Sequence, residues 1–306
     1  MQEERIEELL NELCSDPVEE KVEVSKLISL EMAIIKDSKK RSNIVEREFK
    51  KAGIRVKTQR LSQSPLDENN VIGIIQGKTK EEIIICAHHD RFVGTPGADD
   101  NASGLLTLID LAYSLNERYR KPEKTIKLIS FGGEEAYSFL RVFGKPDMKR
   151  FISMYGFFSD PSRRCSCLGS KRYVRYYPTV NTWGVINLDL CGRDDTLTMV
   201  DRDAIGTAIY NHELAGTIRK VAWSMGIYID KTFTAYSLSD NRPFAEKGVR
   251  TVWLTRVNAK NMKWSVYHSK NDLPEMINTD YIIENKRLLE AVVDYFQTGG
   301  DIVRSL

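Results

Sequence analysis

Hydrophobic residues spaced three and four positions apart predict helices at both ends of the chain and between its strands. The first stripe consists of Ile6, Leu9, Leu10 and Leu13. The same spacing predicts further helices over residues 18–35, 42–52, 103–115, 214–225 and 282–296, and one after Glu134. Gly53 follows the helix predicted at 42–52, and glycine is the residue that most often ends a helix.

Short apolar runs alternate with these helices and predict strands. They cover residues 54–58, 71–75, 83–87, 125–131, 183–189 and 249–254. Alternating strands and helices are typical of an α/β protein, and short hairpin-like links favour a mixed sheet. We therefore expect a mixed, mainly parallel central sheet with helices on both faces.

One segment departs from this alternation. Residues 161–180 contain five basic residues and three tyrosines but no acidic residue. We interpret residues 157–182 as a lid-like insertion that caps the cleft and selects substrates with carboxylates, and the alternative is a solvated surface loop. We expect the whole chain, residues 1–306, to form a single domain on which N-terminal helices at about 1–52 pack.

Composition excludes several classes of function. The 306 residues carry 45 Lys+Arg against 43 Asp+Glu, a net charge of +2, whereas nucleic-acid-binding proteins usually have a clear basic excess. The apolar stretches are strand-sized, shorter than the roughly 20 residues of a membrane-spanning helix. The first residues contain no apolar signal core, so we expect no signal sequence, and the five cysteines have no disulfide or zinc-ribbon spacing. We expect a cytoplasmic protein that binds neither nucleic acid nor membranes, and the sequence predicts no particular oligomeric state.

Reactive side chains follow three of the predicted strands. A His-His-Asp sequence at 88–90, a Gly-Gly-Glu-Glu sequence at 132–135 and Asp189 each stand where a strand ends. The loop at 97–104 adds Gly-Ala-Asp-Asp-Asn-Ala-Ser-Gly. Because ligand sites in open α/β sheets lie at the carboxyl ends of strands, we expect these groups at one edge of the sheet.

Such a concentration of carboxylates indicates a metal site. Clustered carboxylates repel one another and are costly to bury, and a metal ion relieves both effects. Imidazole and carboxylate ligands suit zinc, with manganese or cobalt as substitutes. Two metals about 3.5–4 Å apart would need a bridging carboxylate. They would also need a ligand from elsewhere in the chain, for which His268, directly after Tyr267, is a candidate.

The order of these motifs resembles that of the co-catalytic di-zinc aminopeptidases, metallopeptidase family twenty-eight, over about residues 40–300. The motifs are His88-x-Asp90, the 97–104 loop, Glu134-Glu135, Asn187-Leu188-Asp189, Ser239-Asp240-Asn241-x-x-Phe244 and Tyr267-His268. The resemblance, to bacterial leucyl aminopeptidases in particular, implies a zinc-exopeptidase (phosphorylase/hydrolase-like) fold. The family often has histidine in place of Asn241, and its usual Gly-Leu-Leu-Gly-Ser after the glutamate pair is replaced here.

The resemblance implies a centre with two zinc ions and five ligands. His88 and Asp189 would hold one zinc, Glu135 and His268 would hold the other, and Asp100 would bridge them. Co²⁺ or Mn²⁺ are the substitutes to expect for zinc.

Three further residues take roles from the same resemblance. Asp90 would orient His88 through a hydrogen bond. Glu134 matches the general base, and Tyr267 matches a residue that steadies the tetrahedral intermediate. The family also has a cis peptide after its bridging aspartate, here between Asp100 and Asn101.

These roles imply an aminopeptidase that hydrolyses the N-terminal bond of a peptide substrate. A zinc-activated water would attack the carbonyl, and Glu134 would take the proton of that water and pass it to the leaving amine. Three aromatic or basic side chains are candidates for contact with the substrate, namely Phe244, Tyr173 and Arg175.

Other functions remain open beside the aminopeptidase. A carboxypeptidase or dipeptidase would use Arg172 or Arg175 to bind a carboxylate. A glutaminyl cyclase normally uses one zinc, and a non-catalytic interaction domain would have lost its metal. The complete set of five ligands together with Glu134 argues against the last two.

Overall fold

An eight-stranded mixed sheet lies at the centre of the protein. The computed structural model describes residues 38–61, 68–136, 166–202, 212–230, 233–235 and 238–299. The helices predicted at 6–13 and 18–35, and almost all of the one predicted after Glu134, lie outside these residues. The expectation of a single domain stays a prediction.

The sheet is parallel in its middle and antiparallel on either side of it, and the β6–β7 pair at one edge is parallel again. Its strands are β1 (Arg55–Arg60), β2 (Asn69–Ile75), β3 (Glu82–His88), β4 (Thr125–Phe131), β5 (Thr182–Leu188), β6 (Thr196–Arg202), β7 (Phe233–Thr234) and β8 (Thr251–Val257). They lie in the order β1-β2-β4-β3-β5-β8-β6-β7. Strands β4, β3, β5 and β8 are parallel to one another, whereas β1–β2, β2–β4 and β6–β8 pair antiparallel. The predicted mixed sheet is therefore confirmed, while β6 and β7 were not predicted.

Helices cover both faces of the sheet, as expected. They are α1 (Ser38–Lys51), α2 (Ser103–Arg118), α3 (Leu168–Tyr176), α4 (His212–Ser224), α5 (Arg242–Ala245) and α6 (Thr279–Thr298). The larger core cluster joins α1, α2, α4 and α6 to one face, and a smaller cluster joins α3 and α5 to the other. Because β3 has a helical layer on each side, all seven of its residues are buried, which explains the unbroken apolar run at its centre, residues 83–87. Among the described residues, no helix has the length and apolar character needed to cross a membrane.

The helix α3 lies inside residues 157–182, the segment interpreted as a lid-like insertion. Residues 168–176 form a packed helix and not a solvated loop, because Tyr173 is 1% exposed and packs with Phe131 and Phe244, and the lid stays a prediction. The backbone N–H of Gly169 donates to the carbonyl of Gly132 at 2.9 Å, which ties the start of the helix to the end of β4. The nine residues of α3 carry too few apolar side chains to show a helical stripe. Residues 157–165 lie outside the described part of the chain.

A side chain at Gly169 should destabilise the protein. A Cβ there would lie 2.5 Å from the carbonyl oxygen and 2.9 Å from the nitrogen of Gly132, and backbone atoms cannot move aside as a flexible side chain can. Since overpacking costs about 1–3 kcal/mol, we expect Gly169→Ala to lower the Tm by roughly 2–5 °C. Thermal unfolding followed by circular dichroism measures this shift.

The matched control for this variant is Gly216→Ala in α4. Gly216 is exposed, and a Cβ there meets no atom within 4 Å. Because alanine favours a helix over glycine by up to about 1 kcal/mol, the control should melt at or above the wild-type Tm. A Gly169→Ala protein as stable as the control would contradict the close packing of α3 on the sheet.

Candidate metal centre

The carboxyl ends of three parallel strands bring the predicted groups to one edge of the sheet. His88 is the last residue of β3 and pairs in register with Phe131, the last residue of β4. Asp189 directly follows β5. His88 and Asp189 are 1% and 4% exposed, so both are removed from water. The expectation that these strand ends meet is confirmed by this register.

The loop that carries Asp100 is fastened to the end of β5. Residues 98–102 form a wide helical turn that leads into α2, and the Asp100–Asn101 peptide is cis, as the family resemblance implied. The Asn101 side chain donates to the carbonyl of Leu188 at 2.8 Å and accepts from the backbone N–H of Gly104 at 3.1 Å. This double attachment holds Asp100 beside the end of β5.

The five expected ligands form two groups of three that share Asp100. One group is His88, Asp100 and Asp189, and the other is Asp100, Glu135 and His268. In each group, one ligand atom from every residue lies within 4.8 Å of the others. We call them the first and the second triad.

The separations within the triads suit a metal ion. Nε2 of His88 lies 3.4 Å from Oδ1 of Asp100 and 3.4 Å from Oδ1 of Asp189, and Nε2 of His268 lies 3.5 Å from Oδ2 of Asp100. Ligands bound at about 2.0–2.1 Å around a tetrahedral zinc stand roughly 3.3 Å apart. The two oxygens of Asp100 thus face different histidines, which is the arrangement of a bridging carboxylate.

Two polar atoms support the same fit. Oδ2 of Asp100 and Oδ1 of Asp189 are buried without a hydrogen-bond partner, although buried oxygens of native proteins nearly always have one. In the second triad, Nε2 of His268 instead contacts Oε1 of Glu135 directly at 2.6 Å. The donor set of two imidazoles and three carboxylates fits zinc.

The electrostatics of the cluster call for a cation. Burial, followed by the charge of Asp100, raises the pKa of Glu135 well above its usual value. Burial alone would lower the pKa of His88, but Asp189 and neighbouring carboxylates raise it well above the usual value. These groups therefore retain protons that a divalent cation would displace.

Asp90 supports the cluster with both carboxylate oxygens. They accept hydrogen bonds from the backbone N–H groups of Glu134 at 3.1 Å and Glu135 at 2.7 Å. Nδ1 of His88 lies 3.2 Å from the backbone oxygen of Asp90 and 3.5 Å from its Oδ1. Asp90 therefore orients the glutamate pair as well as the histidine expected from the sequence.

Glu134 belongs to neither triad and is held separately. It is 6% exposed, and its Oε1 accepts a contact from the Cys167 thiol at 3.4 Å. The backbone N–H of Cys167 also donates to the Glu134 carbonyl at 3.1 Å. Burial, followed by the charge of Glu135, raises the pKa of Glu134 well above its usual value. Sequence reasoning missed Cys167 because α3, which begins at the next residue, was not predicted.

Two charged residues far apart in the chain brace the loop that carries Asp100. The carboxylate of Asp272 accepts from the backbone N–H groups of Asp99 at 2.6 Å and Asp100 at 3.1 Å. Arg41 of α1 is fully buried and donates to the carbonyl of Pro96 at 2.6 Å. Neither residue belongs to a sequence motif. Each acts through a contact with a residue far away in the sequence, 55 positions for Arg41 and 173 for Asp272.

Tyr267 lies against the second triad. Its ring is partly exposed and stacks on the imidazole of His268 at a centroid distance of 3.7 Å. On another side of the same imidazole stands Phe92, which sequence reasoning missed. The only sequence feature that could have indicated this contact is the position of Phe92 two residues after the His88-x-Asp90 motif.

The three candidate substrate residues do not join the cluster. Phe244 and Tyr173 are 0% and 1% exposed and fill the space between α3, α5 and the sheet together with Phe131. Because other core side chains enclose both rings, we correct the expectation for both. Arg175 is exposed on α3, where its guanidinium lies 5.7 Å from the ring centroid of Tyr176.

Comparison with known proteins identifies the family. Residues 70–293 match the model of peptidase family M28, and the chain belongs to this family. Among curated proteins, none matches the sequence at a significant level.

Solved structures show the same fold. LapB from Legionella pneumophila has 15% sequence identity over 89% of this chain and 71% of that chain, with a TM-score of 0.69. A glutaminyl cyclase from Porphyromonas gingivalis has 16% identity over 89% of this chain and 97% of that one, with a TM-score of 0.71. BSAP, a zinc aminopeptidase from Bacillus subtilis, has 22% identity and a TM-score of 0.57. The match covers 75% of this chain but only 50% of BSAP.

Zinc should stabilise the folded protein through the triads. A ligand that binds only the folded state adds about 2.7 kcal/mol at a free concentration a hundred times its Kd. We expect Zn²⁺ to raise the Tm of the metal-free protein and Asp100→Asn to abolish most of the rise, because Asp100 belongs to both triads. Differential scanning calorimetry with and without Zn²⁺ measures both effects.

The control variant is Glu213→Gln, which removes one carboxylate from the surface. Glu213 has a side chain that is 69% exposed and pairs with Arg250. This variant should keep the full zinc-dependent rise in Tm. If Asp100→Asn also kept the full rise, zinc would be binding somewhere other than the two triads.

Proposed function

We propose that the protein is an exopeptidase with two zinc ions, and specifically an aminopeptidase. One observation carries this proposal: Asp100 is shared between two histidine–carboxylate triads, while the separate carboxylate of Glu134 lies beside them. Membership of peptidase family M28 supports hydrolysis of a peptide bond as the reaction.

The two triads supply the metal ligands in this proposal. His88 and Asp189 would hold one zinc, Glu135 and His268 would hold the second, and Asp100 would be shared between them. Bound zinc lowers the pKa of a coordinated water and polarises the carbonyl that the water attacks. Cobalt or manganese would suit the same ligands.

Glu134 is the general base. It takes a proton from the attacking water and passes it to the leaving amine, so it must be free of metal and must hold its proton for part of the cycle. Burial raises its pKa in the direction that this second task requires. The contacts from Cys167 restrain its carboxylate, whereas Glu135 next to it faces His268. The two neighbouring glutamates thus have different tasks.

Tyr267 is the donor to the oxyanion of the tetrahedral intermediate. Its ring stacks on His268 and is partly exposed, so the side chain belongs to the accessible side of the second triad. A hydroxyl placed there before the reaction starts stabilises charge that develops only in the transition state.

A glutaminyl cyclase is the second candidate. The fold matches the Porphyromonas gingivalis glutaminyl cyclase over 97% of that chain. Two complete triads favour the two-metal hydrolase over an enzyme with one zinc. The carboxypeptidase alternative has less support, because Arg175 lies exposed on α3 and stacks with Tyr176.

A substrate panel with the zinc-loaded protein separates these activities. The panel contains aminoacyl p-nitroanilides, their N-acetylated forms, N-blocked peptides with a free carboxyl end, and peptides that begin with glutamine. An aminopeptidase hydrolyses only substrates with a free N-terminus. Cleavage of only the N-blocked peptides would support a carboxypeptidase, and cyclisation of glutamine without hydrolysis would support the cyclase.

Replacing Glu134 by glutamine should remove turnover but not metal. The amide cannot accept the proton of the water, and a general base typically contributes about 10²–10⁴-fold to the rate. We expect kcat of Glu134→Gln to fall by that factor, with two zinc ions still bound. Steady-state kinetics and metal quantification on the same preparation measure the two quantities.

Glu246→Gln serves as the control, because Glu246 lies 54% exposed on the surface and pairs with Arg242. It should keep both metal and turnover. Near-normal activity of Glu134→Gln would exclude Glu134 as the base.

A further inference from the structure

The two triad histidines are oriented by different kinds of contact. Nδ1 of His88 donates to the backbone oxygen of Asp90, at 3.2 Å. For His268, Nε2 contacts Glu135 and Asp100, and Nδ1 has no hydrogen-bond partner among the described residues. A metal-binding histidine usually has its second ring nitrogen fixed by a hydrogen bond. Some other contact must therefore set the ring plane of His268.

Two aromatic rings enclose the His268 imidazole. Phe92 lies at a centroid distance of 3.9 Å with an interplanar angle of 24°, and Tyr267 lies at 3.7 Å with an angle of 25°. Two nearly parallel rings this close would overlap if they shared one face of the imidazole. They therefore stack on opposite faces, and rotation of the His268 ring out of its plane would displace one of them.

The backbone conformation of His268 makes this stacking possible. Its φ angle of 51° lies in the left-handed region, which residues with a Cβ rarely adopt unless their surroundings enforce it. The turn at this point places the consecutive rings of Tyr267 and His268 face to face.

The clamp continues into the hydrophobic core. Tyr267 contacts Trp264 at a centroid distance of 5.0 Å, and Trp264 stacks on Trp253 of β8 at 5.3 Å. Trp253 is 1% exposed, and its indole N–H donates to the backbone carbonyl of Asp189. The rings thus form a continuous row from the buried core to His268, so one wall of the clamp is rigid.

We propose that Phe92 and Tyr267 form an aromatic clamp that orients His268 and thereby sets the affinity of the second triad for its metal. This inference rests on the two-zinc centre proposed above. Phe92 is a positioning residue: it acts through His268, while the first triad, which Asp90 orients, does not depend on it. The proposal predicts that loss of the clamp separates the two metal-binding steps.

The measurement is a calorimetric titration of Zn²⁺ into the metal-free full chain, with a competing chelator to bring tight binding into range. Wild type should bind two equivalents. Phe92→Ala should keep the affinity of the first equivalent and bind the second roughly 10–100-fold more weakly, as is typical when an outer partner of a ligand is lost.

Three further variants separate stacking from bulk. Phe92→Leu keeps apolar volume but no flat ring, so it should resemble Phe92→Ala. Phe92→Tyr and Tyr267→Phe both keep the ring and should bind both equivalents like wild type. Tyr228→Ala removes an aromatic ring that is 69% exposed and outside the clamp, and it should also bind like wild type.

The outcomes distinguish the clamp from the proposed function. Two equivalents bound with wild-type affinities by both Phe92→Ala and Phe92→Leu would overturn the clamp and leave the two-zinc centre intact. Equal weakening of both equivalents would also overturn it, because the effect would not be confined to the second triad. A wild-type chain that binds fewer than two equivalents would overturn the two-zinc centre and the clamp together.

Discussion

Carboxylates placed within a few ångströms of one another repel, and their removal from water adds to the cost of folding. Here Asp100, Glu135 and Asp189 are all less than 10% exposed and converge on two imidazoles. Bound protons reduce the repulsion between these carboxylates in part. A divalent cation would reduce it further because it compensates several negative charges at once. The architecture around the cluster follows from that repulsion, since each carboxylate must be held where it would not settle by itself.

Backbone hydrogen bonds and distant side chains supply this restraint. Asp90 and Asp272 both direct their carboxylates at backbone N–H groups, so these two acids hold the loops in place. Arg41 does the same from α1 through the carbonyl of Pro96. An acid whose oxygens are already occupied by N–H groups is a poor metal ligand, which separates Asp90 and Asp272 from the triad carboxylates although all are acidic residues in the same region.

The strand ends and the motif residues could be predicted from the sequence because they depend on local patterns. Five consecutive residues of β3, 83–87, are apolar, and the sheet edge then follows from the direction of parallel strands. The helix α3 could not be predicted in this way, because its packing depends on Tyr173 meeting Phe131 and Phe244 across the fold. For the same reason, the residue type alone could not distinguish two phenylalanines. Phe244 lies in the core, whereas Phe92 stacks on His268.

The histidines of the two triads differ in exposure. The His88 side chain is 1% exposed and is surrounded by carboxylates and backbone, whereas that of His268 is 23% exposed and lies between aromatic rings. Among the described residues, the His268 imidazole is thus the more accessible of the two to solvent. In the proposed aminopeptidase, stacking would keep the more exposed imidazole, that of His268, in its plane, since a hydrogen-bonded anchor at that position would have to compete with water. His88 faces no such competition, and a polar anchor from Asp90 suffices there.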